Sequence, residues 1–478
     1  MMNFNGELGF GHQSFSFTVP AAAGGIALQG STGKKGLIYA YLYDPQGRIR
    51  ANILLEKQPK RLVIGRESAS SGGFKGEIVA GEWRLHIYQL FGEMRNPDPL
   101  PYRIRIEFDA EPQSIGLPTV PALNTANRVV FDYGAVKRRE TRWYRGDLHA
   151  HSVLSDGHNA LDAVVDIVAR QRLDFFFLTE HNLCHAELPL MDNALILPGI
   201  EVTTDLGHFN VHGPERGLDM NGLAYSSEAL IARGLALAAS GRGNISINHP
   251  MMKPWHWLYR EMPLHRVNSL EVCCDPTWST SPQSADDALQ VLSAMWNAGW
   301  RITAVGGSDS HLTPDERNPN ATEPSIYGDP ATFVYAPELS GDAILRGLRQ
   351  GRVYLERRCR LAFAINDGAL LPGDSVGDDR VEYRLAVADT TRSYVAECVI
   401  DGECVGRYAL GQEPVRFSAD LRRRAWARVD IRRADGDGRG REFEALINPV
   451  YNRNAAVFGQ PAAQTWGELL EMMNRHEI

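Results

Sequence analysis

Runs of apolar residues, and runs in which apolar and polar residues alternate, divide the chain into three zones. Residues 1–140 carry HQSFSFTVP, GLIYAYLYD, RIRANILLE, EWRLHIYQL and PYRIRIEFD, short segments rich in aromatic and β-branched residues and bounded by Gly, Pro and Asp turns. Segments of that kind predict strands, and several in succession predict a β-sandwich. Residues 112–140, with three prolines and the run KRRE, read as the linker out of it. From 141 to 358 the texture changes. Apolar runs (DFFFLT, ALILPGIEV, NISIN, SLEVCC, RITAVGG, ATFVYA) alternate with Ala160–Gln171, SSEALIARGLALAAS and SADDALQVLSAMWNAG, where apolar residues recur every three or four positions. Strands alternating with helices predict a parallel sheet or a βα barrel. Residues 359–478 return to strands (RLAFAIND, VEYRLAVAD, SYVAECVIDG, AWARVDIRRADG, FEALIN) and end in the helical pattern TWGELLEMMNRHEI, which is expected to dock on a neighbour or on the chain's own central zone.

Composition narrows this picture. Of 478 residues, 44% are hydrophobic and 23% charged, the balance of a globular protein large enough for two or three cores. A net charge of −8, with both signs interspersed, argues against a protein that coats nucleic acid but leaves room for one local anion pocket. No stretch approaches the roughly 20 apolar residues that span a bilayer, so no membrane partner is expected. The first residues lack the basic start and apolar core of a secretory signal. Six cysteines, two of them adjacent (Cys273 and Cys274), do not suggest a disulfide framework, and a cytoplasmic setting is the expectation.

The chemistry is concentrated in the middle zone. Eleven of 14 histidines fall between His149 and His311, about a third of the length. In DLHAHSVLSDG, His149 and His151 are two residues apart, so at a strand end both imidazoles point the same way and can chelate Zn²⁺, Mn²⁺ or Fe²⁺. Asp156 follows in a Ser-Asp-Gly turn. DFFFLTEHN turns abruptly from apolar to polar at Glu180, His181 and Asn182. Taken alone, that reads as a strand leaving for a solvated loop. PGIEVTTDLGHFNVHG places Glu201 at the end of an apolar run, followed by His208 and by His212, the latter expected at the surface or behind the ligands. ISINHP ends in His249, and AVGGSDSH brings Asp309 and His311. Five strand-like runs thus end in groups able to ligate a metal, and parallel strands gather their ends on one rim.

This order of motifs (DLHAHSVLSDG, TEHN, PGIE, GHFN, NHP, GSDSH) resembles the PHP superfamily, named for polymerase and histidinol phosphatase domains, over roughly residues 143–358. The resemblance implies a distorted (βα)7 TIM-like barrel with two or three divalent metals at its rim, here flanked by β-sandwich-like modules. It implies a first metal held by His149, His151, Glu201 and Asp309, a second bridged by Glu201 and held by His208 and His249, and a third held by Asp156, His181 and His311. Glu180 departs from the family, which more commonly has Asp there. The flanking β-rich zones point to the carbaryl-hydrolase-like branch.

The residues and the resemblance agree on metal-assisted hydrolysis. Divalent metals lower the pKa of bound water from 15.7 to about 7, so a metal-bridging hydroxide is the expected nucleophile, with Glu201, His249 and Asp309 as the residues essential to turnover. No side-chain nucleophile is then required, and Cys273 and Cys274 read as packing residues. A phosphoester is the expected substrate. A carbamate, carboxylic ester or amide hydrolase is the alternative, and a non-catalytic metal-binding module stands behind both. After His249, MMKPWHWLYR offers Lys253 and Arg260 for an anion and Trp255, His256 and Trp257 for an aromatic group, or else packs as an amphipathic loop. The stretch from Thr313 to Pro330 covers the site or is a plain surface loop. The N-terminal zone is expected to support a homo-oligomer.

Overall fold

The computed structural model describes residues 1–90, 98–111, 116–223, 226–238, 241–434 and 440–476. Parts of four expected segments lie outside the described residues: 112–115 of the linker, 239–240 of the second helical run, 435–436 of AWARVDIRRADG, and 477–478 of the tail. The protein is mixed α/β, with one large mixed sheet and several smaller ones.

The N-terminal zone forms two four-stranded antiparallel sheets. One has the order Met2–Leu8, Leu100–Phe108, Gly25–Thr32, Lys60–Gly65; the other Gly11–Val19, Gly81–Gln89, Ile38–Tyr43, Ile49–Leu55. They share a core in which Ile26, Leu28, Ile104 and Ile106 meet Ile38, Leu42, Trp83 and Leu85. Strand Ile38–Tyr43 is buried on both faces, for a reason its alternation explains. Ile38, Ala40 and Leu42 enter that core, whereas Tyr39, Tyr41 and Tyr43 enter the core of the middle zone.

The middle zone builds the large sheet. Strands Arg142–Asp147, Phe175–Leu178 and Leu195–Thr204 are parallel neighbours, as are Asn244–Ile247, Ser269–Cys274 and Thr303–Gly307. Strand Gly207–His212 lies between the two triplets, antiparallel to both, so all six other strands run the same way. The free edge at Thr303–Gly307 returns to the first strand. Ala150 and Ser310 form a parallel bridge, and Asp309 N donates to His149 O at 2.7 Å. Beside this, side chains replace the missing backbone ladder. Thr332 Oγ1 pairs with both polar groups of Gly306, and Asn448 does the same for Ala304.

All six apolar runs of the middle zone are strands, and the three expected helices occur as Leu161–Arg170, Ser227–Leu235 and Ser281–Asn297. Ser226 caps the second, accepting from Ala229 N at 3.1 Å. A regular alternation of strand and helix does not result. Glu201 is followed by a tight hairpin into Gly207–His212, which the sequence pattern does not separate from the run before it. Helix Gly341–Arg349, capped by Ser340, also lies in a segment without an expected element.

The large sheet continues past residue 358. Ala331–Ala336 and Val353–Glu356 lead to Gly440–Asn452, Trp426–Ala434, Ser393–Ile400 and Glu403–Leu410, and a three-stranded sheet (Leu361–Ile365, Arg380–Val387, Val415–Asp420) shares their core. Helix Trp466–His476 docks on its own chain. Trp466 N donates to Met262 O, and Trp466 and Leu469 are buried with residues of helix Ser281–Asn297. All six cysteines are free. No helix among the described residues is long and apolar enough to cross a membrane.

Candidate metal centre

The common strand direction puts the polar ends of the six strands on one rim, and there the nine expected ligands converge. Glu201, fully buried, lies at the middle. Its Oε1 faces His149 Nε2 (3.3 Å), His208 Nδ1 (3.1 Å) and His249 Nε2 (3.5 Å). Its Oε2 faces His151 Nε2 (3.4 Å) and His181 Nδ1 (2.6 Å). Asp309 Oδ1 stands 3.2 Å from His149 Nε2 and 3.1 Å from His151 Nε2. On the far side of His181, Asp156 Oδ1 is 3.3 Å from both His181 Nε2 and His311 Nε2. The donor atoms form overlapping groups: His149, His151 and Glu201; His149, His249 and Asp309; His181, Glu201 and His208; and His151, Asp156, His181 and His311.

Two observations fit this donor set to divalent cations. Donors around one cation at about 2.1 Å stand roughly 3.0–3.4 Å apart, the edge of an octahedron or tetrahedron, and seven of the nine distances above fall in that range, His181 Nδ1–Glu201 Oε2 being shorter and His249 Nε2–Glu201 Oε1 slightly longer. Moreover, His149 Nε2, Asp156 Oδ1, Glu201 Oε2, His208 Nε2 and His249 Nδ1 are buried without a well-formed hydrogen bond. Buried polar atoms are ordinarily satisfied, and a cluster of exceptions on ligating groups calls for a cation. Burial opposes ionisation of the carboxylates. The imidazoles of His181 and His149 nevertheless hold Glu201 well below the usual carboxylate range, those of His181 and His311 do so for Asp156, and His149 and His151 for Asp309. The site therefore presents anionic oxygens among imidazoles.

The supporting residues are less visible in sequence. Glu271, buried inside SLEVCC, sets His149 from behind: its Oε1 lies 3.2 Å from His149 Nδ1, while Oε2 accepts from His249 N at 2.8 Å. A carboxylate behind a ligating imidazole fixes its tautomer and raises its basicity. Asp147 accepts from His149 N, Ser308 N and Gly328 N and so ties the first strand to the last. Glu180 accepts from the backbone N–H groups of Ser152 and Ser155 and from His185 Nε2 at 2.8 Å. Burial would raise its pKa, but the hydrogen bond from His185 prevails and holds it at about 2. Ser155 in turn reaches His151 Nδ1. The one sequence cue to Glu271 is an acidic residue inside an otherwise apolar strand.

His212 is fully buried rather than superficial, and both its nitrogens are used: Nε2 donates to Leu148 O at 2.7 Å and Nδ1 accepts from Asn244. Burial pushes its pKa down to about 4, which suits that neutral form. Cys273 packs in the apolar core, but Cys274 Sγ lies 3.6 Å from Asp309 Oδ2 and belongs to the site.

Local backbone meets the same demands. His249 and Asp309 both adopt positive φ (28° and 47°), a sparsely populated conformation for residues with side chains that clusters at functional sites. A side chain at Gly307 would run into His149 and the Glu271 carboxylate. The N-terminal zone also reaches the centre. Tyr39 OH accepts from Asn182 Nδ2 at 3.0 Å, Ser71 Oγ meets His185 Nδ1, and Lys60 donates to Ser155 O.

A cavity of about 300 Å³ opens over the rim, lined by Asp156, His181, His208, His249, Asp309 and His311 together with Met252, Trp255, Asp275, Trp278, Leu312, Asn318 and Ser325. Asn318 and Ser325 bring the stretch Thr313–Pro330 over the site. Of the residues expected at the substrate, Trp255 lines this cavity; Lys253, His256 and Arg260 are not among its lining residues. Lys253 is exposed, and Arg260 instead pairs with Glu471 of the C-terminal helix at 2.7 Å, so the geometry does not support the expected anion contact. Trp257 is buried in the core against Phe209.

No family model matches the chain, and no curated protein matches it. Among solved structures it is similar to a two-domain protein from Bacteroides vulgatus containing a predicted PHP-like metal-dependent phosphoesterase, at 17% identity and a TM-score of 0.36, over 66% of this chain and all of that one. It is also similar to the Clostridium perfringens CspB protease, at 15% identity and a TM-score of 0.11, over 23% of this chain and 26% of that one. Likenesses this loose carry no argument about fold or activity, and the case rests on the residues.

Proposed function

We propose that the protein is a metal-dependent hydrolase of the PHP type, acting on phosphoesters. The observation that carries this reading is the convergence on one rim of nine side chains able to ligate, from six strand ends and the turns beside them, with buried donor atoms that the protein itself leaves unsatisfied. The order of motifs along the chain supports it, as does the return of the last site strand to the first, which fits a distorted barrel.

In this reading His149, His151, Glu201 and Asp309 hold one divalent ion, Glu201, His208 and His249 a second, and Asp156, His181 and His311 a third. Mn²⁺, Zn²⁺ and Fe²⁺ all suit such a nitrogen and oxygen set. Such ions supply Lewis acidity and a water that is acidic at neutral pH. The chain's own residues do the rest. Glu201 presents one oxygen to each of two histidine groups and so spaces them. Glu271 and Glu180 hold the rings and loops in place, and the stretch Thr313–Pro330 shields the rim from bulk water.

The three zones, 1–140, 141–358 and 359–478, are then an N-terminal brace, the metal-binding part and a C-terminal module. A carboxylic ester or carbamate substrate is the second reading, favoured by one observation: none of the described lining residues is Lys or Arg. Hydrolysis of p-nitrophenyl phosphate, bis-p-nitrophenyl phosphate and p-nitrophenyl acetate by protein reconstituted with each metal decides between them. Phosphoester turnover abolished by a chelator is the expected result. Acetate turnover alone supports the second reading, and no turnover by metal-loaded protein overturns both.

A further inference from the structure

The cavity over the metal rim has two unlike halves. One is the polar rim itself. The other is made by Met252, Trp255, Trp278 and Leu312, and it offers a substrate almost nothing but carbon. Trp255 and Trp278 stand edge to face with ring centroids 5.3 Å apart, and both are only half-buried, so ring surface remains to be covered. Aromatic pairs of this kind prefer a third ring or a flat apolar group against them.

Charge points the same way. Three carboxylates, Asp156, Asp275 and Asp309, line the cavity, and among the described lining residues there is no lysine or arginine to offset them. Two of the three belong to the proposed ligand groups. Asp275 does not, and its oxygens are held by Asn318 Nδ2 (2.7 Å) and Thr277 Oγ1 (2.9 Å). With metals offsetting Asp156 and Asp309, Asp275 is the carboxylate left uncompensated, and an anionic group on the substrate's far side would face it with no lysine or arginine among the described lining residues. Size sets the last limit. About 300 Å³ is at the small end of ligand pockets and suits a small ester with one ring.

We infer that the substrate's non-reacting half is an uncharged aryl group of about one ring, gripped by Trp255 and Trp278, and that esters whose ring carries an anionic group are discriminated against. This rests on the metal-hydrolase reading for the reacting half only. The Trp255–Trp278 wall binds the ring whether or not metal is present.

Two sets of binding measurements on the full chain test it. Metal-loaded protein is titrated by calorimetry with phenylphosphonate, methylphosphonate and 4-carboxyphenylphosphonate. Protein stripped by a chelator is examined by ligand-detected NMR with p-cresol, which has no group to bind a metal. Burial of one ring predicts that phenylphosphonate binds at least about tenfold more tightly than methylphosphonate. 4-Carboxyphenylphosphonate, whose second charge sits on the far side of the ring, should bind more weakly than phenylphosphonate, and p-cresol should bind the stripped protein. Trp255→Ala and Trp278→Ala should erase the phenyl advantage and the p-cresol signal. Trp255→Leu, which keeps apolar bulk and guards against misfolding, should retain part of both. Binding of p-cresol with no phosphonate binding would sustain the aryl site while refuting the metal reading. Equal affinities for phenyl- and methylphosphonate, binding of 4-carboxyphenylphosphonate as tight as that of phenylphosphonate, or no p-cresol binding to folded protein would overturn the inference.

Discussion

The protein buries two clusters of charge, and they are built on opposite principles. In one, buried Asp329 is gripped by Arg357 (3.0 Å) and Arg358 (2.7 Å), and half-buried Glu323 by Arg357, Arg358 and Arg392 at 2.8–3.2 Å. Guanidinium is always charged and fits carboxylate geometry, so both carboxylates here have permanent cationic partners. At the rim, Glu201, Asp156 and Asp309 face imidazoles, whose charge is optional, and five donor atoms there have no well-formed hydrogen bond. The first cluster is complete as folded. The second is complete only with added cations. Burial of acidic groups does not by itself mark a site; the kind of partner does.

If that contrast holds, substitutions in the two clusters separate activity from stability. Glu201→Ala, which removes the shared ligand, should lower turnover by at least about 10³-fold, or roughly 4 kcal/mol of transition-state stabilisation, while circular dichroism stays that of the folded protein. Retained turnover would break the bridging role. Asp329→Ala should do the reverse. It leaves Arg357 short of its principal partner and should destabilise by about 3–5 kcal/mol in denaturant unfolding, with metal content unchanged. Glu271→Gln tests the support behind the ligands and should weaken metal binding about 10–100-fold in competition titrations, with little effect on folding.

The smallest effect is one of pH. Burial raises the pKa of Asp329, but Arg357 and Arg358 outweigh it and hold the group below its ordinary value. A depressed folded pKa contributes stability above the unfolded value of about 3.9, lost as pH falls through the folded value. Asp329→Asn should therefore flatten the loss of stability below about pH 4 relative to wild type. An unchanged acid limb would mean that the pair does not govern it.

The rim was legible because its signals are local. His149 and His151, or Asp309 and His311, share a strand end, and the polar stop after an apolar run is visible without knowing any partner. Glu271 and Asp147 were not legible. Each sits within or beside an apolar run, and its role depends on residues more than a hundred positions away, such as His149 for Glu271 and Ser308 for Asp147. Strand Gly207–His212 was hidden because its hairpin is buried on both sides and reads as one continuous run with Leu195–Thr204. In GLIYAYLYD the run showed a strand but not that its tyrosines face the centre. Lys253 and Arg260 misled because a charge near a ligand in sequence is drawn elsewhere by the fold, in the case of Arg260 to Glu471.

Elemental analysis of the purified chain, before and after reconstitution with Mn²⁺, Zn²⁺ or Fe²⁺ and beside Glu201→Ala, tests the central claim most directly. Two or three metal ions per wild-type chain, with loss of at least the bridged pair in Glu201→Ala, is the predicted result. A folded wild-type protein that retains no metal after reconstitution, or a variant that retains the full complement, would contradict it.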